Sequence, residues 1–167
     1  LADLHFSNIY CTDLNDIQGN RHIESENSNI KYKNIDVLNI NFPDSSFDVI
    51  GCKSLLGGIS KNDPNNINKA IREIYRVLKT GGSFIFAENI EGSIMHRIIR
   101  TYFKSSGWHY PKLKDFVKEL DYFKKIRFET TGFFTILSKN ESIKSYIFHF
   151  DELIKNIVPE KSKYLIY

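Results

Sequence analysis

Apolar and polar positions repeat along this chain in two periods, and each change of period marks an element. Asn8-Ile9-Tyr10-Cys11-Thr12-Asp13 is a short β-prone run that closes on an acid, and Ile30-Lys31-Tyr32-Lys33-Asn34-Ile35-Asp36 is a second. Between them 15–29 is polar, with Ile17 and Ile23 as its only large apolar residues, and reads as a short helix. Phe47-Asp48-Val49-Ile50-Gly51-Cys52 is a compact apolar run of the kind buried on both faces of a parallel sheet, hence a third strand. The clearest helix follows. Asp63 serves as N-cap, Pro64 sits at the first helical position where its missing N–H does no harm, and Ile67, Ile71, Ile74, Val77 and Leu78 recur on one face. Gly81 and Gly82 end it by supplying positive φ, and Ser83-Phe84-Ile85-Phe86-Ala87-Glu88 is a fourth strand.

After Gly92 the pattern changes. Ile94, Met95, Ile98, Ile99, Tyr102 and Phe103 form a helical stripe, read as core packing rather than a lipid groove. A helix over 112–120, a strand over 125–131 and a helix over 142–158 broken by Pro159 come next, and Tyr164-Leu165-Ile166-Tyr167 opens a last strand. There is no internal repeat and no low-complexity linker. Strands alternating with helices predict an α/β fold with helices on both faces of the sheet.

Length and composition narrow the class. At 167 residues the chain is one domain, 1–167, and 41% hydrophobic with 26% charged residues is too apolar for a disordered chain. The net charge of +3 is far from the density that makes phosphate-backbone binding a default, so no nucleic-acid partner is expected. No apolar run approaches the ~18–20 residues that span a bilayer, and no leader pattern opens the chain; a cytoplasmic protein without a membrane partner is the expectation. Cys11 and Cys52, the only two cysteines, fall in runs that read as buried strands, which suits a reducing compartment. No metal is called for. The chain opens on Leu1-Ala2-Asp3 rather than Met, which hints at a start inside a longer polypeptide.

In open α/β sheets the ligand sits beyond the carboxyl ends of the strands, which is where Asp13, Asp36, Lys53 and Glu88 fall. One carboxylate there can accept two hydrogen bonds from vicinal ribose hydroxyls and another can accept one from an exocyclic amine, so the pair reads as a nucleoside site. An Asp after a strand can equally be a helix cap or a turn former.

Two longer patterns carry a resemblance. Asp36 begins Asp-Val-Leu-Asn-Ile-Asn-Phe-Pro-Asp-Ser-Ser-Phe-Asp-Val-Ile, and Ile71 begins Ile-Arg-Glu-Ile-Tyr-Arg-Val-Leu-Lys-Thr-Gly-Gly-Ser-Phe-Ile-Phe-Ala-Glu. Together they resemble the class I S-adenosylmethionine-dependent methyltransferases, in particular the small-molecule branch, from about Asn8 to Glu88. Asn41 and Thr80 stand where that family usually has proline. The resemblance implies a Rossmann-like three-layer sandwich whose mostly parallel sheet ends in an antiparallel last strand. It implies S-adenosylmethionine as cofactor and S-adenosylhomocysteine as product. It also implies that Asp13 holds the ribose hydroxyls, that Asp36 meets the adenine amine, and that Val37 and Leu38 line the adenine, with a backbone N–H on a ring nitrogen. Cys52, Lys53 and Ser54 would flank the methionine part, with Leu14 and Leu55 as apolar walls. The family's glycine-rich loop, with its central strand, should precede Asp13, and nothing in 1–10 supplies it. That strand lies between those ending at Asp13 and Cys52, so its absence would leave two rows of backbone groups unpaired. The expectation is that residues upstream of Leu1 supply it.

A sulfonium methyl is already activated, so transfer needs alignment above all, and a base only where the acceptor holds a proton. His109, within Gly107-Trp108-His109-Tyr110-Pro111, is the first candidate base because this family often builds its acceptor pocket there; an aromatic loop packing over helices is the alternative. His96, expected on the exposed side of its helix, Glu88, Tyr110 and Lys53 stand behind it. From Ile94 to Arg127 nine Lys/Arg face three acids, +6, which leaves −3 for the rest and favours an anionic or polar acceptor unless these are only solvated helix faces. The expected activity is methyl transfer to a small-molecule or glycan-type acceptor. A non-catalytic nucleotide-binding or scaffolding domain on the same fold is the alternative. A dinucleotide oxidoreductase ranks last, because it would not be expected to carry these two patterns.

Overall fold

A computed structural model of the chain describes residues 7–14, 30–102, 108–138 and 140–167. The helix expected over 15–29 and Phe103 of the expected stripe lie outside the described residues. Strand β1 is Ile9–Asp13 and β2 is Ile30–Asn34; they pair in parallel with Asp13 opposite Asn34. Next come β3, Phe47–Lys53, a one-turn helix α1, Leu56–Ile59, and the long helix α2, Asn66–Val77. Strand β4, Leu78–Asn89, pairs in parallel with β3. The second half holds α3, Ile94–Tyr102; α4, Leu113–Glu119; β5, Thr130–Thr131; α5, Glu141–Ile154; and β6, Leu165–Ile166. β6 runs antiparallel to both β4 and β5. The result is the expected Rossmann-like α/β arrangement with an antiparallel last strand. Among the described residues the sheet comes in two pieces, β1-β2 and β3-β4-β6-β5, with β1 and β3 each at an edge.

The α2 stripe behaves as its spacing predicts. Ile67, Ala70, Ile71, Ile74 and Val77 are buried, and on a full-burial basis each large aliphatic contributes about 1.5–3 kcal/mol. They pack on Phe84 and Phe86 of β4, together with Phe116 of α4 and Leu120 just after it. Val49 and Ile85, on the other face of these strands by alternation, are exposed among the described residues. Asp63 is not the N-cap and Pro64 is not the first helical residue: the helix opens at Asn66, with Asn65 as an N-cap that makes no side-chain bond. Asp63 instead shapes the preceding turn, its Oδ1 accepting the Asn65 N–H at 3.0 Å and its carbonyl the Asn66 N–H at 3.0 Å.

Several expectations are corrected. Helix α2 stops at Val77, where Leu78 turns extended at ψ 137°, so Gly81 and Gly82 lie inside β4 and do not end the helix. They sit where the β3–β4 register shifts between Phe47 and Val49; Gly81 takes φ 84°, and a Cβ on Gly82 would meet the Lys79 and Asp48 carbonyl oxygens at 2.9 and 3.0 Å. Of the strand expected over 125–131 only Thr130–Thr131 is strand. Cys11 is exposed and Cys52 only half-buried. On α3 the expected stripe is only partly buried: Ile94 is 66%, Ile98 63% and Tyr102 83% exposed, Met95 and Ile99 are half-buried, and His96 and Arg100 face inward. With Arg97 and Thr101, the three exposed residues line a shallow groove of about 430 Å³. The inward pair is stable because its polar atoms are satisfied: Arg100 Nη1 donates to the Ile90 and Glu91 carbonyls, both at 2.9 Å. No helix of the described residues is long and apolar enough to cross a membrane.

Candidate active site

The parallel β1–β2 pair puts two carboxylates at neighbouring strand ends. The Ile35 N–H donates to the Asp13 carbonyl at 3.0 Å, extending the pairing one step past β2 and bringing Asp36 alongside the end of β1. Both acids are exposed. Asp36 also forms a turn: its Oδ1 accepts the Leu38 N–H at 2.9 Å, and Asp36 bridges to Asn39. The turn-forming role and the open rim position therefore coexist in one residue. Val37 and Leu38 are half-buried against the main apolar cluster, whereas Leu14 is exposed.

The β3 end is built differently. Lys53 is exposed at the last strand position, and Ser54 adopts φ 51°, the left-handed region, where the chain reverses into α1. The Ser54 N–H donates to the Ala87 carbonyl at 2.8 Å, and Asn89 Nδ2 donates to Ser54 Oγ at 3.4 Å. Between those two anchors Glu88, 1% exposed, accepts the Leu55 and Leu56 N–H groups at Oε1, at 2.6 and 3.0 Å. Burial pushes its carboxyl up, against the pull of these N–H groups. The Cys52 thiol also points at Oε1, at 3.9 Å, and burial first, then the Glu88 charge, pushes it up to about 12. Cys52 is therefore a protonated wall rather than a nucleophile.

The aromatic loop closes over α1. His109 N–H donates to the Gly57 carbonyl at 3.1 Å, and the Trp108 ring covers Gly57 and Gly58. A Cβ on Gly57 would lie 2.8 Å from the His109 carbonyl oxygen and 3.2 Å from the Trp108 ring, so only glycine admits this approach. Tyr110 lies under the Arg100 guanidinium at 3.7 Å, and the Glu91 N–H donates to the Pro111 carbonyl at 2.9 Å. The loop is thus both the packed aromatic loop of the alternative reading and a neighbour of the β3 end.

The base candidates separate. His96 is fully buried, not on the exposed side of its helix. Its Nδ1 accepts the Ser93 N–H at 2.9 Å, so Nε2 carries the proton and donates to the Phe133 carbonyl at 2.8 Å. Burial holds it below its ordinary value, and it is a structural imidazole. Glu88 is committed to backbone N–H groups and Tyr110 to Arg100. Half-buried His109 and exposed Lys53 stay near the rim. Of the nine basic residues between Ile94 and Arg127, Arg100 is turned inward and Arg97 pairs with Glu91 at 3.5 Å; Lys104 lies outside the described residues. Sequence reasoning did not single out Gly57 and Gly58, although a glycine pair opening a helix is a sign of close approach.

The two patterns of the resemblance grip one another. Arg76 donates to the Ile40 and Phe42 carbonyls at 2.8 and 2.9 Å and to Asp44 at 2.8 Å, while Glu73 accepts the Ile40 N–H at 2.9 Å. Lys79 grips Asp48 at 2.8 and 2.9 Å. The Phe-Pro-Asp-Ser-Ser-Phe-Asp loop is thereby stapled to the end of α2.

Comparison with known proteins bears on the family and the fold. A family model described as a methyltransferase domain matches residues 1–86, just over half of the 167-residue chain. No curated protein matches in sequence. Among solved structures, a SAM-dependent methyltransferase of Methanosarcina mazei superposes with a TM-score of 0.63 at 18% identity, over 81% of this chain and 76% of that one. The PH0226 protein of Pyrococcus horikoshii gives 0.62 at 17% identity, over 78% and 69%. A phosphoethanolamine N-methyltransferase of Haemonchus contortus, with phosphomonomethylethanolamine and S-adenosylhomocysteine bound, gives 0.60 at 14% identity, over 94% of this chain and 41% of that one. With the family pattern running through both acidic strand ends and the stapled loop, the chain belongs to the methyltransferase domain family, the class I S-adenosylmethionine-dependent methyltransferases.

Proposed function

We propose that this chain binds S-adenosylmethionine across the ends of β1, β2 and β3 and passes its methyl group to a small-molecule or glycan-type acceptor beneath the 108–111 loop. The observation that carries the reading is the adjacency of Asp13 and Asp36, fixed by the Ile35 N–H on the Asp13 carbonyl. The donor set fits an adenosine: two exposed carboxylates for ribose hydroxyls and an exocyclic amine, beside half-buried Val37 and Leu38 for the purine face. Because Asp36 Oδ1 and the Leu38 N–H engage each other, the adenine amine falls to Oδ2 and the ring nitrogen to the Val37 N–H. Cys52, Lys53, Ser54 and Leu55 flank the methionine part, with Leu14 at the open side.

Bound there, the cofactor supplies an electrophilic methyl on a sulfonium. The residues of the chain align the acceptor and exclude water, with His109 taking a proton where the acceptor carries one. The basic excess over 94–127 favours an anionic or polar acceptor, and the phosphorylated amine bound by the nematode enzyme is of that kind. Calorimetry with S-adenosylhomocysteine on the complete protein tests the reading. Asp13→Ala and Asp36→Ala should each weaken binding about 10- to 100-fold, the loss of hydrogen bonds to a charged group. His109→Ala, on the acceptor side, should bind as the parent does. Unchanged affinity in both aspartate variants removes the site, and no binding by the parent favours the scaffolding alternative.

A further inference from the structure

We infer that Glu88 is a positioning residue that couples the turn after β3, on the cofactor side, to the Trp108–His109 loop on the acceptor side. Its site meaning rests on the function proposed above, but the coupling is a statement about this chain alone.

The chain of contacts is short. Glu88 Oε1 takes the N–H groups of Leu55 and Leu56 and so fixes the entry to α1. One residue on, Gly57 presents its carbonyl to the His109 N–H and its bare Cα to the His109 carbonyl and the Trp108 ring. The residues on either side of Glu88 hold Ser54, Ala87 through its carbonyl and Asn89 through its side chain. The last residues of β4 thus fix 54–56, and 57 fixes 108–109.

A carboxyl at this point answers specific donors rather than filling space. Among the described residues Glu88 Oε2 is buried with no hydrogen-bond partner, a disposition that costs free energy. What Glu88 supplies, and an apolar residue could not, is one acceptor oxygen shared by two backbone donors at the start of α1.

The chain holds a single tryptophan, Trp108, so its emission and quenching report this loop alone. In the full chain, Glu88→Ala should raise acrylamide quenching of Trp108 and speed exchange of the Leu55, Leu56 and His109 amides by about tenfold or more. Glu88→Gln keeps an acceptor oxygen and should behave as the parent. Gly57→Ala should displace Trp108 with Glu88 intact. Ile71→Val, which weakens the α2 core modestly, controls for general destabilisation and should leave Trp108 unchanged. The inference is overturned if folded Glu88→Ala frees Leu55 and Leu56 but leaves Trp108 and His109 as in the parent. It is also overturned if Glu88→Gln exposes Trp108 as alanine does, or if Gly57→Ala leaves it in place. Should Glu88→Ala fail to fold, the glutamine and Gly57 variants decide. None of these readouts needs cofactor. A chain that shows the coupling yet binds no S-adenosylhomocysteine fails the functional reading alone.

Discussion

His96 has both ring nitrogens engaged by backbone groups, and that arrangement has a pH signature. Burial is the largest penalty on protonating the ring and the Arg100 charge adds to it; protonation also forfeits the Ser93 N–H bond to Nδ1, and together these outweigh the Phe133 carbonyl and Asp151, which favour the charged form. The folded chain therefore refuses a proton that the unfolded chain accepts below about 6.5, the ordinary value. With more protons on the unfolded state, stability falls as pH drops from there, by at most about 1.4 kcal/mol per pH unit. Glu88 has the opposite sign: its raised carboxyl keeps a proton above its ordinary 4.5, so its contribution declines as pH rises from there through its folded value. Chemical denaturation of the parent and of His96→Gln at pH 7.5 and 5.5 isolates the histidine. The glutamine variant should lose less stability on acidification, and an equal loss in both would refute the assignment. Asp151 acts lower on the scale. Its buried carboxylate accepts the Thr135 hydroxyl and the N–H groups of Phe134, Phe133 and Thr135, which together outweigh burial and hold it below its ordinary 3.8. Its stabilisation is present above that value and lost as pH falls through the depressed one.

At the scale of elements, the α2 terminus is the piece to perturb. The Arg76 guanidinium spans two carbonyls and two carboxylates, a fork that an ammonium cannot reproduce, so Arg76→Lys should lower the melting temperature nearly as much as Arg76→Ala. Lys79→Ala, which removes an exposed pair with Asp48, should change it little. Gly82→Ala forces backbone carbonyls apart and should lose about 1–3 kcal/mol; Gly81→Ala meets only the φ penalty, about 1–2 kcal/mol. Thermal melts that rank Lys79→Ala below Arg76→Lys would remove the staple account. These contacts also explain what was legible in the sequence. The two patterns could be read because each residue answers a local or mutual need: Arg76 for the Ile40–Asp44 loop, Gly81 for its φ, Ile71 and Ile74 for the sheet. The α3 stripe could not, since periodicity reports a helix and an apolar face without reporting which face has a neighbour. His96 and Arg100 are inward only because Phe133, Tyr110 and Tyr164, distant in sequence, meet them. For the same reason the aspartate pair was legible as strand ends in register, whereas the Gly57–Trp108 approach joins residues that no local pattern relates.

Over the whole molecule, stability should be uneven. The β1–β2 piece is tied to the rest by the ring cluster of Tyr10, Phe42 and Phe47, with centroids 4.8–5.9 Å apart, and its residues Cys11, Thr12 and Asp13 are exposed. The β3–β4 piece lies against α2 and the main core. Local opening follows such differences, so amides of β1 and β2 should exchange before those of β4. The two cysteines report the pieces separately. Cys11 is open to a thiol reagent, whereas Cys52 is half-buried and, with its thiol pushed up to about 12, holds a thiolate fraction on the order of 10⁻⁴ at pH 8. One thiol per chain should label at once and the second in a slow phase that denaturant accelerates. S-adenosylhomocysteine should slow that second phase further, because a ligand that binds only the folded state lowers the population of any opened one, by about 100-fold when present at 100 times its dissociation constant. If both thiols label together, the β3 end is not held as described; if the slow phase ignores the ligand, the Cys52 wall is not part of the cofactor site.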